Sequence, residues 1–208
     1  MQSETPKQFM LLNSKPILMH TIEAFYYSDL KPDIIVVLNV DFHTYWEQLC
    51  KKYNFSIPHT LIKGGLQRFH SVKNGIRSIK GNAVVAIHDA VRPLASNEII
   101  CRSFREAEQT GNAVVAIKTR DSVRQKMGNS SIPLNRDEIY LVQTPQTFQF
   151  ALLNKAYKQE YRNEFTDDAS VVERTGVTIN LIEGESKNLK ITFPEDLSLA
   201  EFYLSQTK

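Results

Sequence analysis

The stretch Ala83 to Leu94, AVVAIHDAVRPL, couples a short apolar run to an abrupt polar turn. Ala83 to Ile87 are small or β-branched without interruption, the pattern of a strand buried on both faces inside a parallel sheet. His88, Asp89, Arg92 and Pro93 follow at once, so the strand delivers a carboxylate and a guanidinium to its carboxyl end. Open α/β sheets bind their ligands there.

Strand and helix alternate on either side of this stretch. Ile17, Leu18, Ile22, Ala24 and Phe25 fall near helical spacing behind Pro16, and Ile34 to Leu38, IIVVL, reads as a strand. Tyr45, Trp46, Leu49 and Tyr53 give a second amphipathic helix and His59 to Ile62 a short strand. Arg68 to Ile79 is predicted helical behind Gly64 and Gly65. Beyond the central run, Asn97 to Thr110 reads as a helix stopped by Gly111, and Ala113 to Ile117, AVVAI, repeats the central strand. Phe148 to Tyr161 and Asp167 to Thr175 read as helices, the second with Thr166 as its N-cap. Thr178 to Ile182 and Leu189 to Phe193 read as strands, and a last helix starts near Pro194. The expectation is an α/β fold: a mainly parallel sheet with helices on both faces. One polar segment, about Lys118 to Asp137, cannot bury itself, and is expected to leave the body as a hairpin arm that reaches a second subunit.

Composition narrows the function. The 208 residues fit one domain with a sizeable core, and residues 1–208 are expected to form one with the arm at about 118–138. Lys plus Arg number 25 against 23 Asp plus Glu, a balance that argues against a face devoted to nucleic acid. No apolar run approaches the roughly 20 residues needed to span a bilayer, and the amino terminus lacks the pattern of a signal peptide. Cys50 and Cys101 stand apart without a CxxC spacing, so neither a zinc site nor a disulfide framework is indicated and a reducing cytoplasm is expected.

Individual candidates carry two readings each. Lys7 in a polar loop reads first as a solvated lysine. Arg68 opens a helix whose dipole it opposes, directly after a Gly-Gly pair whose amides can approach a ligand, so an anion or nucleobase nearby would remove the conflict. A solvent-facing Arg after a tight turn is the plainer alternative. Asp89 and Arg92 could equally pair with each other. Arg136, Thr144 and Lys190 are weak alone, and Thr166 is explained by capping. Together these donors lie at predicted strand ends and loops with no Cys/His or Ser/His/Asp arrangement beside them, which favours phosphate-bearing substrates over hydrolysis.

PKQF at Pro6 to Phe9, KPIL at Lys15 to Leu18, GGLQRFHSVKNGI at Gly64 to Ile76, HDAVRP at His88 to Pro93, QTPQTF at Gln143 to Phe148, TDDAS at Thr166 to Ser170 and NLKITFPEDLSLAE at Asn188 to Glu201 resemble, in order, the 2-C-methyl-D-erythritol 4-phosphate cytidylyltransferase family. The resemblance implies a nucleotidyltransferase fold, a homodimer through exchanged arms, and a Mg²⁺-dependent reaction of CTP with methylerythritol phosphate in non-mevalonate isoprenoid synthesis. It implies that Lys7 and Lys190 are catalytic, holding the α-phosphate. Gly65, Arg68, Ser71 and Ala90 would bind the nucleotide. Asp89, Arg92, Ser122, Arg136, Thr144 and Thr166 would bind the alcohol phosphate, with Ser122 and Arg136 supplied by the partner's arm. The metal ligands stay unassigned. Ser122 stands where the family often has threonine, and keeps the hydroxyl. Family members also begin with a buried strand and a glycine-rich loop carrying an arginine. Met1 is expected to match an internal methionine that follows them, leaving the neighbouring strands unpaired around a groove and the activity impaired. The alternatives are a ribitol-5-phosphate cytidylyltransferase, or a noncatalytic remnant that binds an alcohol phosphate.

Overall fold

The computed structural model describes residues 6–206. A two-strand hairpin, β1 (Leu11–Leu12) and β2 (Lys15–Pro16), precedes α1 (Ile17–Tyr26), β3 (Ile35–Leu38), α2 (His43–Lys52), β4 (Thr60–Lys63) and α3 (Arg68–Arg77). Then follow β5 (Val84–Ile87), α4 (Asn97–Thr110), β6 (Asn112–Lys118), β7 (Arg124–Met127), β8 (Ser130–Pro133) and β9 (Tyr140–Gln149). The chain closes through α5 (Phe150–Ala156), α6 (Asp168–Glu173), β10 (Leu181–Glu183) and α7 (Pro194–Ser205).

Four strands form the central sheet in the order β10-β6-β9-β5. β10 runs parallel to β6, and β9 runs antiparallel to both β6 and β5, so three strands share one direction and β9 opposes them. That reversal follows from the hairpin arm of β7 and β8, which turns the chain back before β9. β6 is buried from Asn112 to Ala116, as its apolar run requires. A large core of Phe69, Ile76, Val114, Phe148, Leu153 and Val172 packs α3, α5 and α6 onto the sheet.

β3 and β4 pair in parallel as a separate two-stranded sheet, cored by Phe9, Leu18, Ile22, Val36, Leu38 and Trp46. Among the described residues the outer edges of β3 and β5 are unpaired, and a cavity of about 270 Å³ opens beside Pro32, ahead of β3, and Val84, at the start of β5. In the central run read as buried on both faces, Val84 to Ile87 are therefore only half-buried and Ala83 is exposed. An apolar run reports what a strand is built to pack against, whereas the exposure is set by what lies alongside it.

Three local expectations change. Thr166 does not cap α6: the Asp167 side chain accepts from the Ser170 amide at 2.8 Å, and the Ser170 hydroxyl closes the reciprocal contact. A carboxylate one residue later both accepts and complements the dipole, so it displaces the threonine. Leu189 to Phe193 forms no strand; its one sheet-like bond is Ile191 N–H to the Val91 carbonyl at 2.9 Å. Helix α5 ends at Ala156, short of Tyr161.

Candidate active site

The register between β5 and β9 builds the site. Ile87 pairs with Gln146, so continuing the ladder past the strand end sets Asp89 opposite Thr144, and the Asp89 amide donates to Thr144 Oγ1 at 3.0 Å. Thr144 precedes a cis Pro145. Asp89 then gathers cations from three parts of the chain. Lys190 Nζ lies 3.2 Å from Oδ2, Arg92 Nε 3.3 Å from the same oxygen, and Arg68 Nε 3.9 Å from Oδ1. Burial would raise the Asp89 pKa, but Lys190, then Arg68 and Arg92, outweigh it and hold the carboxyl below its ordinary value. Arg68 is also held by a second carboxylate, Asp168, so two carboxylates face three cations and the strand end keeps an excess of one positive charge for a phosphate.

Lys7 arrives from the amino-terminal side. Its Nζ donates to the Thr192 carbonyl at 2.8 Å, which brings it to the segment that carries Lys190. Buried Asn188 ties this segment down: its side-chain amide donates to the Thr144 carbonyl at 2.9 Å, and its own carbonyl accepts from Arg92 Nη1 at 2.8 Å.

Arg68 differs from the expectation that a ligand would neutralise it. Its two terminal nitrogens donate to Asp168 at 2.9 and 2.5 Å, and Asp168 is fully buried and also accepts from the Tyr157 hydroxyl at 2.6 Å. The anion that resolves the dipole conflict is thus a protein carboxylate 100 residues away. Burial pulls the Arg68 pKa down, but Asp168 more than reverses it and the guanidinium stays charged. Burial and Asp168 together raise the Tyr157 pKa, keeping it a neutral donor. Arg68, Thr166 and Asp167 line a small cavity of about 80 Å³ with Gln67 and Phe69.

The Gly-Gly loop is also more self-contained than its amides suggested. Gly65 N–H donates to Ser71 Oγ at 3.0 Å, and Ser71 donates in turn to the Gln67 carbonyl. A Cβ on Gly65 would sit 2.3 Å from the His70 Cβ, so this glycine permits a close packing of loop on helix. Ala90, next to Asp89, gives its carbonyl to Thr21 at 2.9 Å.

Asp89, Arg92, Lys190, Arg68 and Thr144 therefore converge; Lys7 reaches the Lys190 segment through the Thr192 carbonyl, Ala90 adjoins Asp89, and Thr166 lines a cavity with Arg68. Ser122 and Arg136 do not join them: both are exposed on the arm of the same chain. Reasoning from the sequence missed Asp168, Tyr157 and Asn188. The signal for Asp168 was present, as Arg68 lacked an anion and TDDAS offered two.

Among the described residues no group of three His, Cys, Asp or Glu side chains gathers to hold a metal. Asp89 already faces three cations, so these residues do not fit a protein-built cation centre. No helix among them is long and apolar enough to cross a membrane.

An α/β sheet that presents lysines and arginines around one carboxylate at its strand ends defines an enzyme that handles phosphate groups, of the nucleotidyltransferase class. The fold matches solved structures of that class: 4-diphosphocytidyl-2C-methyl-D-erythritol synthase from Anaerococcus prevotii with a TM-score of 0.83 at 25% identity, covering 94% of this chain and 88% of that one. The 2-C-methyl-D-erythritol 4-phosphate cytidylyltransferase of Francisella tularensis superposes with a TM-score of 0.82 at 30% identity, covering 96% and 93%. The chain belongs to the 2-C-methyl-D-erythritol 4-phosphate cytidylyltransferase family, whose profile matches residues 1–206. It is 48% identical over 202 residues to the enzyme of that name from Azobacteroides pseudotrichonymphae, covering 97% of this chain and 91% of the relative. Over 204 residues it is 46% identical to that of Bacteroides fragilis, covering 98% and 93%.

Proposed function

We propose that this chain transfers CMP from CTP to 2-C-methyl-D-erythritol 4-phosphate, giving 4-diphosphocytidyl-2-C-methyl-D-erythritol and pyrophosphate in the cytoplasmic non-mevalonate isoprenoid pathway. The observation that carries the reading is the Asp89 cluster, with Lys190, Arg92 and Arg68 around one carboxylate, in a chain whose family match runs through residues 1–206.

A phosphate oxygen of the alcohol phosphate attacks the α-phosphorus of CTP, and the bond to the bridging oxygen breaks as pyrophosphate leaves. With a second pKa of about 6 the attacking phosphate is already largely a dianion at neutral pH, so it needs no strong base. Positioning and charge stabilisation supply the rate. Lys7 and Lys190 are the groups proposed to hold the α-phosphate as its charge builds. Asp89, Arg92, Thr144 and Thr166 would take the alcohol phosphate, and Gly65, Ser71 and Ala90 the cytidine. Arg68, committed to Asp168, would shape the nucleotide side by holding its loop against α6. A divalent cation such as Mg²⁺ would arrive with CTP and offset part of the triphosphate charge, while this chain's own lysines and arginines bind and orient the phosphates.

A homodimer completes the proposal, with Ser122 and Arg136 of the arm offered to the partner's site. Its support is the arm itself, exposed on both strands, with Met127 and Ile132 open and Tyr140, Leu141 and Val142 exposed at its foot. Phosphorus NMR of the reaction tests the chemistry: the expected outcome is a new pair of diphosphodiester resonances with pyrophosphate. Inorganic phosphate in their place would refute it.

A further inference from the structure

His88 has no role in the reaction just described, yet both its ring nitrogens are committed within the site. Nε2 lies 2.9 Å from the Arg92 carbonyl, and Nδ1 lies 3.1 Å from Thr144 Oγ1. The ring packs edge to face on Phe25 at 4.8 Å. A carbonyl can only accept, so Nε2 carries the hydrogen. A neutral imidazole has only one, which leaves Nδ1 a bare acceptor. Among the described residues, the hydrogen set to reach Nδ1 is that of the Thr144 hydroxyl. Burial keeps the ring neutral at physiological pH, in agreement with this assignment.

The consequence falls on Thr144. Its hydrogen points to His88, and one of its lone pairs accepts the Asp89 amide at 3.0 Å. A single lone pair remains. A hydroxyl in that state can accept from an alcohol but cannot donate to a phosphate oxygen.

We propose that His88 is a positioning residue: its Nε2–H tautomer closes the turn from Asp89 to Arg92 and commits the Thr144 hydroxyl to accepting a hydrogen bond from a hydroxyl of the alcohol substrate. The substrate half of this statement rests on the reaction proposed above; the tautomer does not.

Two measurements test it. Nitrogen NMR of the histidine-labelled chain at neutral pH is expected to show His88 with Nε2 protonated and Nδ1 bare. A proton on Nδ1, or an imidazolium, overturns the proposal. In kinetics, H88Q keeps a donor for the Arg92 carbonyl while its one acceptor, Oε1, no longer occupies the Nδ1 position that faces Thr144. Loss of one hydrogen bond in the substrate network is expected to raise the KM for the alcohol phosphate about tenfold and to leave the KM for CTP within about twofold. In a T144V background the same change is expected to have no further effect, since the group it acts through is gone. Equal rises in both KM values, or effects that add fully across the two variants, would mean that His88 only supports the fold. If the unmodified chain forms no cytidylyl product, the reaction assignment fails, and the nitrogen spectrum still decides the tautomer.

Discussion

Asp168 is fully buried, and among the described residues the Arg68 guanidinium and the Tyr157 hydroxyl answer its charge. Removing one partner of such a pair leaves an uncompensated charge inside the protein, the costliest polar lesion a single substitution makes. R68A is therefore expected to lower the unfolding free energy by about 3 kcal/mol in urea titration, whereas an Arg facing solvent would change it by less than about 0.5 kcal/mol. A shift in the second range would return Arg68 to the plainer reading of its sequence. His88 sets a pH dependence of its own. Burial pushes its pKa down to about 4 from 6.5, so the unfolded chain takes up a proton between those values that the native ring refuses. Its contribution is complete above pH 6.5 and is lost as the pH falls toward 4, by about 3 kcal/mol. The urea midpoint should fall over this range, and fall less in H88Q; equal slopes in the two proteins would contradict the buried neutral ring. At this scale the sequence was half legible. A cation opening a helix announces that it needs an anion, but the chain between Arg68 and Asp168 hides which one.

Elements were read more fully than contacts. Helix α4 falls on the predicted Asn97 to Thr110, with Ser96 capping it through Ile99 N–H at 3.2 Å and Gly111 ending it at φ 99°. Periodicity and punctuation decide such a helix locally. Strand pairing is a long-range fact, which is why the reversal of β9 and the open edges of β3 and β5 had no signal in their own residues. Those edges make a testable pattern. The Phe150 amide donates to the Ala83 carbonyl, so Val85 and Ile87 face β9 while Val84 and Ala86 face the open side. In β3 the Ile34 and Leu38 carbonyls accept from Thr60 and Gly64, so Val36 and Leu38 face β4 and Ile35 and Val37 face away. Amide hydrogen exchange is expected to be slower at Val36, Leu38, Val85 and Ile87 than at Ile35, Val37, Val84 and Ala86. Uniform protection along both strands would show that each edge is paired in solution.

In the whole molecule, charge and shape divide the work. A net charge of +2 hides a local gathering of charge, since Asp89 draws cations from positions 68, 92 and 190, one of which Asp168 also holds. The resemblance carried by seven short motifs named the family because those motifs supply the residues that converge there. It assigns Ser122 and Arg136 to the partner's site, and within their own chain both stand exposed on the arm. If that arm serves a second copy, small-angle scattering at micromolar concentration will give about twice the 23.8 kDa chain mass, and M127D with I132D will halve it; a monomer before substitution would remove the shared site. The central claim is the reaction. Pyrophosphate release with CTP, Mg²⁺ and either 2-C-methyl-D-erythritol 4-phosphate or ribitol 5-phosphate tests it most directly. The account predicts turnover with methylerythritol phosphate, abolished or cut by about 10²-fold or more in K190A, and little with ribitol phosphate. Turnover confined to ribitol phosphate, or binding of either without pyrophosphate, would contradict it.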